Sequence, residues 1–341
     1  MRILVVGAGA VGQVYGNALQ AGGATVSVFV RDKYAAGARR GYALTRIPLL
    51  GRRLSEQFVP NEVLTTADEV RERRFEQIWL CVATDALAGT WLEEVLEACV
   101  DATVVCLQPG LDVKARLVSL VPESRVAFGM IGMLAFSAPL EGSVDRRELD
   151  TPASVAYFHP PAGSTRVSST SERRALDVVG ALRAGRAPAE LCRDANEEMG
   201  FSSAMLVPHI AALEVAGWAF AAYRASNAPE LGAAASREAL RLTSALTGAD
   251  APIAASLLLP PLLRFGSRFA RIAAPFDVES FLRVHFTKVA TQTRLMIEEW
   301  RGAAEARGLE HEGLAALVEE LEGEAAQSAG EDDHENLGVD P

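Results

Sequence analysis

The chain has 341 residues, 49% hydrophobic and 6% aromatic, which suits two globular domains better than one. A formal net charge of −11 argues against a nucleic-acid or membrane partner, either of which would need a basic face. The four cysteines (Cys81, Cys99, Cys106, Cys192) show no C-x-x-C spacing, so buried thiols are expected rather than a disulfide or a metal site.

The N-terminus reads as a strand, residues 3–6, running into a glycine-rich turn. Gly7, Gly9 and Gly12 fall at G-x-G-x-x-G spacing, with Ala8, Ala10 and Val11 between them. The first glycine permits the turn and the second lets the backbone approach a pyrophosphate. The third lets the next helix pack close and present its N–H groups to the anion. An alanine-rich helix follows over 14–21, Gly22-Gly23 stops it, and a strand over 25–30 completes the unit. Where NAD-binding versions carry an acid after the second strand, this chain has Arg31, followed by Asp32 and Lys33. A guanidinium suits a 2′-phosphate, so the expected cofactor is NADP(H).

Strands are expected over 77–82, 102–107, 125–129 and 153–158, with a helix over 87–98. This alternation predicts a doubly wound α/β sheet, with ligands at the carboxyl ends of its strands beside Gly7, Ala83 and Gln108. From Asp194 the strand signal ends, and helices are expected over 197–223, 232–246, 278–306 and 313–321. The domains are therefore 1–190, a Rossmann-type NADP-binding domain, and 191–321, an all-helical domain. Residues 322–341, with seven acids and no Lys or Arg, read as a disordered acidic tail. No apolar leader precedes the first strand, and the cytoplasm is expected. Residues 251–275 are apolar, with Arg264, Arg268 and Arg271 on one helical face; a packed helix or a homodimer contact is favoured over a membrane surface.

The Gly-Ala-Gly-Ala-Val-Gly turn, Arg31, Leu107-Gln108-x-Gly110 and the helical second half together resemble the ketopantoate reductase family. That resemblance implies a Rossmann domain joined to a helical domain and reduction of a 2-oxo acid by NADPH in a cleft between them. It also implies cofactor contacts from Gly7 to Gly12, Arg31 and Gln108. The family's catalytic pattern departs here. Its lysine falls on Met199, its helical asparagines on Ser203 and Val207, and its Leu-Gln-Asn-Gly becomes Leu107-Gln108-Pro109-Gly110. A strand-end lysine falls on Ala83 and a late glutamate on Gln292, so ketopantoate is not the expected substrate.

Hydride delivery to a ketone builds negative charge on its oxygen, so a cation or proton donor is required. His285, Lys288 and Gln292 fall at i, i+3 and i+7 of the late helix, which makes Lys288 a catalytic candidate with Gln292 binding substrate. His209, after Pro208, is the rival, with a pKa suited to acid–base work. No pair of histidines has metal-ligand spacing, and no metal is expected. The expected function is an NADP(H)-dependent oxidoreductase acting on a small-molecule oxo compound. The alternatives are a catalytically inactive NADP(H)-binding sensor or interaction protein, and an opine-dehydrogenase-like enzyme using His209.

Overall fold

The structure is a computed structural model that describes residues 1–143, 153–161, 163–270 and 274–335, with side chains described as far as 323. Apolar residues in an unbroken run form β1 (Arg2–Val6), and Ile3, Leu4 and Val5 are wholly buried. The chain continues through α1 (Ala10–Ala21), β2 (Thr25–Phe29), α2 (Asp32–Arg40), β3 (Tyr42–Arg46), β4 (Leu54–Phe58), β5 (Glu62–Leu64) and α3 (Ala67–Arg71). Next come β6 (Gln77–Leu80), α4 (Trp91–Ala98), β7 (Thr103–Cys106), α5 (Val113–Leu120), β8 (Val126–Met130) and β9 (Leu134–Ala138). Then follow β10 (Ser154–Phe158), β11 (Thr165–Ser168), α6 (Glu172–Ala184) and β12 (Ala189–Leu191).

An eight-stranded sheet takes the order β12-β11-β8-β7-β6-β1-β2-β5, parallel throughout except where β11 pairs β8. Such a sheet needs both faces covered, which is why β1, β6 and β7 read as continuous apolar runs. Strand order reverses at β1, between β2 and β6, and in sheets of this kind ligands bind at the carboxyl ends of the strands at that point. A second, four-stranded sheet, β4-β3-β10-β9, packs against the side of α1 away from β1. The α/β class and parallel sheet match the sequence reading; the second sheet is new.

After β12 the chain is helical: α7 (Ala195–Val215), α8 (Phe220–Ala225), α9 (Ala228–Thr247), α10 (Pro260–Gly266), α11 (Val278–Lys288), α12 (Ala290–Glu305) and α13 (Glu312–Glu335). In this part α9 packs on α12 and α13, and the buried Glu238 carboxylate accepts from Gly313 N–H (2.9 Å) and Leu314 N–H (2.8 Å), tying down the start of α13. The chain divides into two compact units, Met1–Met199 with Ala274–Asp277, and Gly200–Ala273 with Val278–Pro341. The division falls inside α7 rather than at residue 190.

Two long helices expected from sequence are each two helices. Gly217 and Trp218 both adopt positive φ (64° and 61°) and separate α7 from α8. Val289, at φ −116° and ψ 18°, separates α11 from α12. The apolar stretch after α9 holds a 3₁₀ turn (Ile253–Leu257) and the short α10, and Arg264 there pairs with Glu230 (2.5 Å). Of the arginine face expected there, Arg271 lies outside the described residues. The backbone of 322–335, read as part of a tail, continues α13, and 336–341 lie outside the described residues.

Candidate dinucleotide site

The site begins where β1 ends. Gly7 sits at φ +90°, and a Cβ there would meet Val82 Cγ1 at 2.7 Å and the Cys81 carbonyl at 2.8 Å. Only glycine adopts that turn without strain. A Cβ on Gly12 would lie 2.1 Å from the Gly7 carbonyl oxygen, so the first turn of α1 can pack onto the loop only with glycine at this position. Gly9 differs: a Cβ there would meet nothing within 4 Å, leaving a bare stretch of backbone facing open space.

Gly9 is also the N-cap of α1; no side chain caps the helix and its first turn carries no acid. Its first N–H groups are therefore available to an anion, with the positive end of the helix dipole behind them. Gln13 braces the loop, its N–H donating to the Gly9 carbonyl (2.9 Å) and its side-chain amide to the Ala8 carbonyl (2.8 Å).

Beside this loop lies a cavity of about 1300 Å³, whose lining includes Gly7, Ala8, Gly9, Arg31, Lys33 and Arg40. Arg31 is the residue just before α2, placed there by the turn after β2. Its guanidinium lies 5.1 Å from the Tyr34 ring centroid and donates to the Tyr34 hydroxyl at 3.3 Å. Lys33 Nζ approaches the same ring at 5.0 Å, so two cations lie against one aromatic ring. Trp91, stacked with Phe29 at 6.3 Å and 25°, forms another part of the wall, with Nε1 donating to the Ala86 carbonyl. The lining contains three cations and, among the described residues, one acid, Asp85.

The polyanionic backbone of a dinucleotide fits this arrangement: an uncapped helix start beneath open backbone, with Arg31, Lys33 and Arg40 in the same lining. Burial pushes the Cys81 thiol, which lines the cavity, up to about 12. It stays protonated near neutral pH and is no nucleophile.

Sequence reasoning found Gly7, Ala8, Gly9 and Arg31 in the lining. Ala10, Val11 and Gly12 instead form the first turn of α1 behind it. It did not find Gln13, Tyr34, Arg40 or Trp91. The i, i+3 spacing of Arg31 and Tyr34 at the start of a helix was the available signal.

Gln108 is placed differently from its expected role as a cofactor contact. It is 3% exposed, its amide donates to the carbonyls of Leu80 and Val82 (both 2.8 Å), and its oxygen accepts from Leu107 N–H (3.2 Å). Its polar atoms are used in tying the end of β7 to the end of β6.

The expected catalytic residues lie in the helical unit. Lys288 is exposed and is the last residue of α11, while Gln292, partly buried, is in the first turn of α12. The helix expected to carry both is interrupted at Val289, between them. His285 stacks on Phe281 at 5.3 Å, and burial, helped by the neighbouring Lys288 charge, holds its pKa below the usual value.

His209 is packed against Gly232 of α9, where an added Cβ would lie 2.6 Å from Nδ1. Both its ring nitrogens are buried without a partner, and burial pushes its pKa down to about 4. An imidazole in that setting stays neutral near pH 7, so the expected acid–base pKa is corrected. Sequence reasoning also missed an ion pair in this unit: Glu214 on α7 and Arg294 on α12 meet at 2.9 Å, with the Glu214 side chain 8% exposed.

The fold and this loop define a Rossmann-type dinucleotide-binding domain followed by a helical domain. Residues 3–149 match the family model described as ketopantoate reductase PanE/ApbA. The dinucleotide-binding part of this chain is therefore similar to that family, in line with the resemblance carried by the glycine motif.

Solved structures resemble the chain over nearly its whole length. A 2-dehydropantoate 2-reductase from Geobacter metallireducens GS-15 is 17% identical, with a TM-score of 0.67, 94% of this chain and 99% of that one being covered. A PanE/ApbA family ketopantoate reductase from Ralstonia eutropha JMP134 is 16% identical (TM-score 0.69; 94% and 97% covered). A D-mandelate dehydrogenase, solved with NADH and anilino(oxo)acetate, is 13% identical (TM-score 0.68; 95% and 97% covered). At these identities the likeness is one of fold. No curated protein matches the chain in sequence.

Proposed function

We propose that this protein is an NADP(H)-dependent oxidoreductase that reduces an oxo compound other than ketopantoate. One observation carries the reading: Arg31, with Lys33 and Arg40, lines the cavity where an NAD site would place an acid. The family whose model matches residues 3–149, and the similar structures, are those of oxidoreductases acting on a CH–OH/C=O pair. The bound cofactor would supply the hydride. Gly9 and the start of α1 would hold its pyrophosphate and Arg31 its 2′-phosphate, while Trp91 would cover one side of the cavity.

Lys288 is the catalytic residue proposed. Its ammonium is exposed at a helix end, whereas His209 is buried and resists protonation. Gln292 is proposed as a substrate contact. A homodimer and a cytoplasmic location fit the same reading, and no helix among the described residues is long and apolar enough to cross a membrane.

The test is fluorescence titration with NADPH and NADH, followed by absorbance with a panel of 2-oxo acids. Tight NADPH binding with oxidation by a panel member supports the proposal. No binding of either nucleotide overturns it.

A second reading is favoured by a specific observation. Met199, Ser203, Val207 and Ala83 replace the polar catalytic set, and the local histidine, His209, is sealed in apolar packing. An NADP(H)-binding protein without turnover has these features too. It is distinguished by tight NADPH binding that no oxo substrate discharges, with Lys288→Ala leaving every measured property unchanged.

A further inference from the structure

A second polar cavity, of about 490 Å³, opens in the same N-terminal unit on the far side of α1. It shares no lining residue with the cofactor cavity. Asn17, one turn beyond Gln13 on α1, lines it together with Glu56 from β4, Tyr157 from β10, His159 just after that strand, Arg46 from the end of β3, and Arg186. The second sheet, which has no place in a bare dinucleotide-binding unit, supplies most of these groups.

Their arrangement is one-sided. Glu56 Oε2 accepts from Asn17 Nδ2 and from the Tyr157 hydroxyl, both at 2.8 Å, which fixes the carboxylate and leaves Oε1 without a partner among the described residues. His159 Nδ1 is buried with no hydrogen-bond partner. Glu56 therefore gives the lining a carboxylate fixed at one oxygen, with the His159 imidazole in the same lining.

Arg46 and Arg186 supply the opposite chemistry. Both line the cavity. Arg186 occupies the left-handed position after α6 (φ 61°), where a helix exit ordinarily takes glycine or asparagine. With two guanidiniums and one carboxylate, the cavity carries a net charge near +1.

We propose that this cavity is a binding site for a small carboxylate that also bears an amino or hydroxyl group. The carboxylate is held by Arg46 and Arg186, and the donor end by Glu56 Oε1. A guanidinium pair recognises a carboxylate by charge-assisted hydrogen bonds, and a buried acceptor selects ligands that bring it a donor. The proposal is independent of the cofactor reading, because the two cavities have separate linings.

The test is calorimetric titration of the full chain with L-glutamate, glycine and L-lactate, and with acetate and methylamine as single-ended controls. The two-ended compounds are expected to bind about tenfold or more tightly than either control. In an Arg46→Ala/Arg186→Ala variant that affinity falls about tenfold or more, while NADPH titration and the thermal midpoint match wild type. Glu56→Gln separates the two ligand sources: it weakens the amino acids and spares lactate if an ammonium is the natural donor, and spares both if a hydroxyl is. Absence of binding by all three two-ended compounds up to tens of millimolar overturns the proposal. So does binding by the double-arginine variant that equals wild type.

Discussion

The two units treat their polar groups in opposite ways. In the N-terminal unit they line open space: bare backbone at Gly9, the cations Arg31, Lys33 and Arg40, and a helix start with no cap. In the helical unit the groups that sequence suggests for chemistry are closed in or displaced. His209 has both ring nitrogens buried without partners, and Lys288 and Gln292 stand on either side of a helix break. A motif whose residues are neighbours in the chain fixes its own geometry through short-range sterics. A catalytic set spread over several helices depends on packing that spacing does not report. The difference therefore lies in how far apart along the chain the cooperating residues are.

The largest effect is expected at Gly12. An added Cβ would lie 2.1 Å from the Gly7 carbonyl, so Gly12→Ala forces loop and helix apart. A cost of about 3 kcal/mol and loss of measurable NADPH binding are expected, by chemical denaturation and fluorescence titration. Gly9→Ala is its counterpart. Its Cβ meets nothing within 4 Å, so the thermal midpoint should hold while NADPH affinity falls, since the methyl group occupies the space over the uncapped helix start. Wild-type affinity in Gly9→Ala would sink the assignment of that space to the pyrophosphate.

His209 tests the other unit. Its folded pKa is depressed to about 4 by burial, from an ordinary value near 6.5. A histidine held neutral contributes nothing unfavourable above pH 6.5. As pH falls below that, the unfolded chain binds a proton that the native state refuses, so native stability is lost. The loss grows from about pH 6.5 and levels off near pH 4, reaching ~3 kcal/mol. The stability difference between wild type and His209→Leu, followed by urea denaturation from pH 7.5 to 4, should shift in favour of the variant by that amount. A flat difference would mean that the imidazole reaches water or a partner, and would return His209 to the catalytic candidates.

Arg31 is expected to show a smaller, selective effect. Arg31→Ala should raise the NADPH dissociation constant about 30-fold, equivalent to ~2 kcal/mol, and leave NADH within about twofold. Equal losses for both nucleotides would point to the Tyr34 contact rather than to a phosphate.

How much was legible in the sequence follows the same division. The β1–loop–α1–β2 unit was readable because its apolar runs and glycines are consecutive, and the strands at β6, β7, β8 and β10 because they are buried and, apart from Gln77, Thr103 and Ser154 at their starts, apolar. The strand β4, Leu-Ser-Glu-Gln-Phe, carries three polar residues in five and sits at an edge of the second sheet, so no period marks it. The break at Val289 has no glycine or proline to announce it. Gln108 was found as a polar residue at a strand end. That its amide is consumed by the carbonyls of Leu80 and Val82 is a fact of sheet order, settled by β6 lying beside β7.

Glu214 and Arg294 offer the smallest effect and the sharpest distinction. Glu214 Oε2 and Arg294 Nε are buried without partners, although the two side chains meet at 2.9 Å. The Arg294 side chain is 36% exposed, so water screens part of the attraction, and Glu214→Gln should cost only about 1 kcal/mol. Replacing the pair together, Glu214→Leu with Arg294→Met, exchanges a partly satisfied ion pair for apolar packing and should be neutral or stabilising by urea denaturation. That double variant separates the two roles a buried pair can have. If the pair only holds α7 to α12, turnover with any substrate found will be unchanged. If stability is unchanged but turnover falls, the unpartnered atoms of the pair are reserved for substrate, and the helical unit holds an open polar site after all.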